Sequence, residues 1–297
     1  IFVTPWWQKI WWQRFQNKTE LKIISFHKNE TILGIAPMIL NKGVLSFLGD
    51  SDLFDYHDFI VPEYNETLFY NALFDYLPEI QWNVIEMKSL PKKSPTLRYI
   101  PAIAEKMGYS VEVRDESVSP IASLSPTWEG YLENLPKKNR HELRRKIRRL
   151  QSAGTIQQYI CKSPQTHLEC MKDFIRLMQA SSPEKAAFLN PQREMFFIDL
   201  ATELGGKNIL KLAILELNGI RVAACMIFDY LNSYLLYNSG YDPSYSKLSV
   251  GLVNKALAIK RAIEVGKHNF DFLRGAERYK YELGATDRSV HQIIVRR

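Results

Sequence analysis

Lys22–Asp52 reads KIISFHKNETILGIAPMILNKGVLSFLGDSD, and Lys211–Asp242 reads KLAILELNGIRVAACMIFDYLNSYLLYNSGYD. Each is an apolar strand, a turn centred on an asparagine (Asn29, Asn218), a second apolar strand, a polar turn and a third strand ending in a Gly/Asp cluster. Apolar runs bounded by such turns are hairpin signals. The offset is constant across the first hairpin, 211 − 22 = 218 − 29 = 189. Downstream, TLFYNALFDYLPEI and GLVNKALAIKRAIEVG both place apolar residues at helical spacing, and the short strands NVIEM and NFDFL follow them. Each half therefore reads strand, strand, strand, helix, strand, an antiparallel meander followed by a crossover helix. The fold class expected is α+β (a mixed α/β sheet), in two tandem halves, residues 1–120 and 121–297, each a mostly antiparallel mixed sheet flanked by helices.

The composition suits this. The chain has 297 residues, 46% hydrophobic, with 14 Gly and 14 Pro, which is enough to bury the cores of two ordinary domains. No apolar run reaches the roughly 18 residues of a membrane span, and no charged segment leads into an apolar one at the start. A soluble, cytoplasmic protein is expected. The chain opens on Ile1 rather than Met, which reads as the loss of a short leader. Cys161, Cys170 and Cys225 lack metal or redox spacing and read as plain reduced thiols. The formal net charge of +7 favours anionic partners without naming one.

Between the halves stands SPTWEGYLENLPKKNRHELRRKIRRLQSAG. Thr127 is placed to cap a short helix, Pro136 interrupts it, and a second helix spans 137–153 with Gly154 as its stop. Leu143, Ile147 and Leu150 share one face; Lys137, Lys138, Arg140, Arg144, Arg145, Arg148 and Arg149 supply the rest, with Glu142 the lone acid. A solvated helix with a narrow buried stripe is the plain interpretation. Cations at this density repel one another unless an anion compensates, so an anion-binding helix is the alternative. At the N-terminus, PWWQKIWWQRF carries Trp6, Trp7, Trp11 and Trp12 on a helix opened by Pro5. With Lys9 and Arg14 its only basic residues, it reads as packed on its own domain rather than in a membrane interface.

The segments LPKKNRHELRRKIRRL, GYDPSYSKLSVGLVNKALAIKRAIEVG and FDFLRGAERYKYELGA, preceded by TPWWQKIWW, ILGIAPM and DSDLFDYHDFIV, resemble in order and spacing the GNAT-superfamily acyltransferases of the CelD/BioF2-like group. That group is itself similar to the FemABX aminoacyltransferases, and the resemblance covers nearly the whole chain. It implies a tandem pair of GNAT folds, an acceptor side in the first half and a donor side in the second. It also implies transfer of an acyl or aminoacyl group to an amine or hydroxyl, with acyl-CoA (acetyl-CoA) as co-substrate and no metal.

In a GNAT fold the donor pyrophosphate sits at the N-terminus of the crossover helix, where unpaired N–H groups and the helix dipole favour anions. The second half offers SYSKLSVG there, with Ser246, Lys247, Ser249 and Gly251, whereas the first half offers VPEYNETL, whose Glu63 and Glu66 would repel a diphosphate. Donor binding is therefore assigned to the second half, to Ser246, Lys247, Ser249 and Gly251 with Arg140, Arg144 and Arg274. The sequence departs from the family's Arg/Gln-x-x-Gly-x-Gly/Ala loop, since Gly251 is its sole glycine. An aminoacyl-tRNA donor would not need that loop.

In RGAERYKYELGA, Gly275 is expected to turn the chain, Tyr279 to protonate the leaving group and an exposed Lys280 to polarise the donor carbonyl. A helical turn there sends Arg278 to solvent and away from Lys280. In GDSDLFDYHDFIV, Asp55 or His57 is expected to take the acceptor's proton, with Asp52, Tyr56 and Asp58, and Tyr241 and Asp242 of the second half, contacting a small-molecule, glycan or peptide acceptor. Asp50 and its neighbours also suit plain turn formation. Three classes stay open: an acyl-CoA-dependent N- or O-acyltransferase acting in cell-envelope or polysaccharide modification, a FemABX-like transferase with tRNA as partner, and a non-catalytic binder of nucleic acid or an anionic surface.

Overall fold

The structure, a computed structural model, describes residues 1–161 and 164–297. It divides into two units, Ile1–Val118 with Arg288–Arg297, and Ser119–Asp287. In the first run α1 (Pro5–Phe15), β1 (Glu20–Lys28), β2 (Thr31–Asn41), β3 (Val44–Phe47), α2 (Glu66–Tyr76), β4 (Val84–Pro91), α3 (Thr96–Lys106) and β5 (Ser110–Val118). The second begins with β6 (Ile121–Ser123), α4 (Trp128–Asn134), α5 (Lys137–Gln151), β7 (Ile156–Ile160), α6 (Pro164–Ser181), α7 (Pro183–Phe188) and α8 (Pro191–Gly205). It continues through β8 (Leu210–Leu217), β9 (Ile220–Tyr230), β10 (Ser233–Tyr241), α9 (Val250–Glu264), β11 (Asn269–Asp271) and α10 (Arg278–Glu282), and the chain ends with β12 (Ser289–Arg296).

Each unit holds one six-stranded mixed sheet, in the orders β1-β2-β3-β4-β12-β5 and β6-β11-β10-β9-β8-β7. The duplicated pattern of the sequence is a duplicated topology. Lys22 pairs with Met38 and Lys211 with Ile227, so the partners keep the offset, 227 − 38 = 189. Asn29 and Asn218 both take positive φ, 55° and 52°, as do Lys42 and Leu231 at the second turn, 231 − 42 = 189. The parallel pairs differ: Val44 meets Val84 and Ser233 meets Asn269, giving crossovers of 84 − 44 = 40 and 269 − 233 = 36 residues. The four-residue difference lies between the third strand and the strand after the helix.

The first core gathers Phe26, Met38, Phe69, Tyr70, Phe74, Trp82 and Met87. Helix α1 buries Trp7 and Trp11, and Trp11 Nε1 donates to Asp50 Oδ2 at 2.6 Å, so the tryptophans pack on their own unit. In the second unit Val222–Phe228 of β9 is wholly buried, because α9 covers one face of the strand and α6 the other. Thr127 caps α4 by accepting from the Gly130 amide at 3.1 Å, and α5 buries Leu143 and Leu150.

Two expectations are corrected here. The boundary falls at 118/119, and β12, expected in the second half, lies between β4 and β5 of the first sheet, antiparallel to both. Its Ile293 and Val295 join the first core, and Val290 and Ile294 are buried as well. Cys161 and Cys170 are joined in a disulfide, not reduced, because α6 brings Cys170 back over the end of β7 with Cα atoms 6.7 Å apart.

The feature that makes a site is the parting of β10 and β11. They pair only over Ser233–Leu235 and Asn269–Asp271, and β10 then bulges between Leu236 and Asn238 and runs on to Tyr241 beside β9 alone. Helix α6 crosses β10 at Gly240 so closely that a Cβ there would meet Met178 N at 2.2 Å.

Candidate functional site

Helix α9 starts behind Ser249, which is left-handed (φ 56°, ψ 34°) and makes no side-chain cap to the first turn. The amides of that turn therefore point into a cleft of about 250 Å³, lined by Ser246, Ser249 and Gly251, by Tyr241 of β10, by Lys146 of α5 and by Lys255 and Tyr279. Arg149 reaches one of the cleft's lining residues, its Nη2 donating to Ser249 Oγ at 2.9 Å, while its Nε is buried without a hydrogen-bond partner among the described residues. A Cβ on Gly251 would stand 3.1 Å from the Tyr241 ring, so the glycine lets helix and strand approach. Unpaired amides beside two cations are the physical requirements of a phosphate site.

At the inner end Lys255 is 7% exposed, its Nζ 4.6 Å from the Tyr279 ring centroid and 3.3 Å from the Gly251 carbonyl. Burial pushes its pKa down. Lys185 of α7 donates to the Ser239 carbonyl of β10 just past the bulge, and burial with the nearby charge of Lys255 brings its pKa down to about 8. Burial, followed by the Glu277 carboxylate, raises the Tyr279 phenol, which stays protonated and able to donate. The Cys225 thiol is buried and pushed up to about 11, which argues against a thiolate nucleophile.

Lys280 is not the exposed cation expected. It is 1% exposed, and its Nζ donates to the carbonyls of Leu273 (3.0 Å), Arg274 (2.7 Å) and Gly275 (2.9 Å) and to Glu277 Oε2 (2.9 Å). Its place at the head of β11 makes it the brace of the loop, because Leu273 (φ 56°) and Gly275 (φ 107°) turn three carbonyls onto one point. One turn of helix sends Arg278 outward to Glu282, 2.8 Å away.

Of the sequence-predicted residues, Tyr241, Ser246, Ser249, Gly251 and Tyr279 meet in this cleft. Lys247 is exposed and outside it. Asp242 accepts from the Ser244 amide at 2.9 Å and shapes the turn. Arg140 donates to the Glu133 carbonyl at 3.2 Å and Arg144 faces solvent, because α5 turns Lys146 and Arg149, three residues apart, toward α9 instead. Arg274 is half-buried beside the cleft's loop and offers its carbonyl to Lys280.

The residues of the acidic stretch lie in the first unit. His57 is 4% exposed and stacks between Phe54 (centroids 4.6 Å) and Phe47 (5.5 Å), with its amide donating to the Ser89 carbonyl. Asp58 accepts from Thr96 Oγ1 at 2.5 Å and from the Phe59 amide, and burial raises its pKa. Asp52 is exposed, Asp55 half-buried, and Tyr56 lies edge-on to Phe2. A pocket of about 210 Å³ stands here, lined by Asp50, His57, Glu86 and Lys88 among others.

Sequence reasoning missed Lys146, Arg149, Lys185 and Lys255. The first two were legible as cations three residues apart on a helix whose apolar face was known. Lys255 sits among apolar residues in VGLVNKALAIKRAIE, and a lysine on the buried face of a crossover helix was a signal. For Lys185, in the short helix PEKAAF, the sequence holds none.

Residues 137–281 match the acetyltransferase (GNAT) domain family. Among curated proteins no sequence matches the chain. The crystal structure of FemX superposes with TM-score 0.68 at 12% identity, over 99% of this chain and 91% of FemX. L-PGS from Bacillus licheniformis superposes with TM-score 0.62 at 10% identity, over 93% and 84%. A tandem GNAT protein from the clavulanic acid biosynthesis pathway gives 0.51 at 11%, over 93% and 83%. Two units with one topology, a strand pair that parts beyond the crossover helix, and a GNAT match confined to the second unit agree: the chain has a tandem GNAT fold, related in fold to FemX.

Proposed function

We propose that the protein is an acyltransferase that takes its acyl group from acyl-CoA and passes it to an amine or hydroxyl, with the donor in the cleft at the start of α9. The observation that carries this is the uncapped first turn of α9 beside Lys146 and Arg149, a place for a pyrophosphate. The acceptor heteroatom attacks the thioester carbonyl, the C–S bond breaks, and the proton released by the acceptor ends on the departing thiolate. Tyr279, protonated at the inner end, is the relay, giving its proton to the thiolate and taking up the one that the acceptor releases. Lys280 acts by holding the Leu273–Gly275 carbonyls in place. The CelD/BioF2-like resemblance suggests a cell-envelope or polysaccharide acceptor.

A second reading, aminoacyl-tRNA as donor, is favoured by one feature. A groove of about 710 Å³ shares Lys146 and Leu252 with the donor cleft and bears Lys138 and His141, with Arg145 and Arg278 paired to Glu142 and Glu282 on the same wall; its excess of cations suits a phosphate backbone. A thermal-shift panel of acyl-CoAs and of charged and uncharged tRNA separates the two, since a ligand of the native state raises the melting temperature. Stabilisation by acyl-CoA, lost on adding Arg149→Ala, is expected. Stabilisation by charged tRNA alone would transfer the assignment to the second reading.

A further inference from the structure

Lys255 is a buried amine and Lys185 a half-buried one, and neither has a carboxylate in ion-pair range among the described residues. Lys255 rests on a carbonyl already inside a helix and on an aromatic face; Lys185 rests on one strand carbonyl. The nearest acid, Glu277, is engaged by Lys280. An ammonium taken out of water without a counter-ion is strongly unfavourable, and an anion entering the cleft would compensate it. Both lysines flank the parting of β10 and β11. Lys255 forms the inner wall of the donor cleft, and Lys185 stands where β10 has lost its neighbour strand.

We infer that the inner end of this cleft accepts an acyl group bearing a carboxylate of its own, as in a dicarboxylic monoacyl thioester, with Lys255 as the residue that contacts it and Lys185 as its support. The inference rests on the acyl-CoA reading. A transient oxyanion would compensate the amines only at the moment of reaction, whereas a carboxylate on the acyl group compensates them throughout the bound state. Burial lowers both pKa values, favouring the neutral amines, and an entering carboxylate would restore the ammonium form. An uncharged acyl chain would leave the amines as they are and gain only apolar contact.

The test compares succinyl-CoA with butyryl-CoA by calorimetric titration, and free succinate with succinamide by thermal shift, on wild type and Lys255→Met. Succinyl-CoA is expected to bind at least about tenfold more tightly than butyryl-CoA, as one charge-assisted contact gives, with the ratio near one in Lys255→Met. The unliganded Lys255→Met protein should melt higher than wild type, because methionine removes an uncompensated charge and keeps the chain length. Equal affinities for the two thioesters in wild type overturn the inference and leave the donor reading standing. If neither thioester binds, the donor reading fails, and succinate decides the pocket. Stabilisation by succinate over succinamide that Lys255→Met abolishes upholds an anion pocket, and no stabilisation overturns it.

Discussion

Lys280 shows how far one residue's role follows from its surroundings. As an exposed cation it would be replaceable at no cost in stability; braced against three carbonyls and Glu277, it is not. Lys280→Met is expected to destabilise the protein by about 3–5 kcal/mol, because three loop carbonyls and a carboxylate lose the donor they share. Arg278→Ala, at a solvent-facing pair, should change stability by no more than about 0.5 kcal/mol. Denaturant midpoints of the two variants check this, and equal midpoints would return Lys280 to the surface. Lys185 yields a pH signature. Its folded pKa of about 8 lies below the ordinary 10.5, so between those values the unfolded chain holds a proton that the folded chain has lost. Stability relative to Lys185→Met should therefore rise as pH goes from 8 to 10, the penalty of the buried charge being fully present below 8. A difference that stays flat from pH 7 to 10 would show that Lys185 is not buried as a cation.

At the scale of elements, the site depends on two close approaches and one uncapped helix. Gly240→Ala would drive a Cβ into the backbone of α6 at Met178, so a loss of at least about 2 kcal/mol is expected, measured by thermal and denaturant unfolding. Gly251→Asp places a carboxylate at the start of α9 and should weaken donor binding sharply, whereas Asn65→Asp, at the start of α2, should leave it nearly unchanged. Equal losses in both would remove the donor assignment. The helices and hairpins themselves were legible, since Asn29 and Asn218 occupy left-handed turn positions that few side chains favour, and α5 declared its buried face through Leu143 and Leu150. Which flank of α5 meets α9 was not, because that depends on a contact 100 residues away in sequence: the pattern points to Arg140 and Arg144, and Lys146 and Arg149 are the cations that face α9.

For the whole molecule, the 189-residue repeat fixed the topology of both units, and the structure preserves it down to paired residues. The fate of β12 lay outside local pattern: SVHQIIVR, with its β-branched Val290, Ile293, Ile294 and Val295, is a strand that either sheet could accept, and the gap between β4 and β5 decides it. The Cys161–Cys170 disulfide was hidden for the same reason, as the two residues read as unrelated until α6 folds back. The two units have one topology but unlike helix starts: α2 has Glu63 in the turn before it and Glu66 as its first residue, whereas α9 has Ser246 and Ser249 before it, Gly251 in its first turn and flanking cations. The crystal structure of the protein grown with coenzyme A tests this asymmetry most directly. The expected result is pyrophosphate oxygens within about 3 Å of the amides of Val250, Gly251 and Leu252, with Arg149 and Lys146 turned toward them. Coenzyme A seated at the start of α2, or anywhere away from α9, would contradict the donor site.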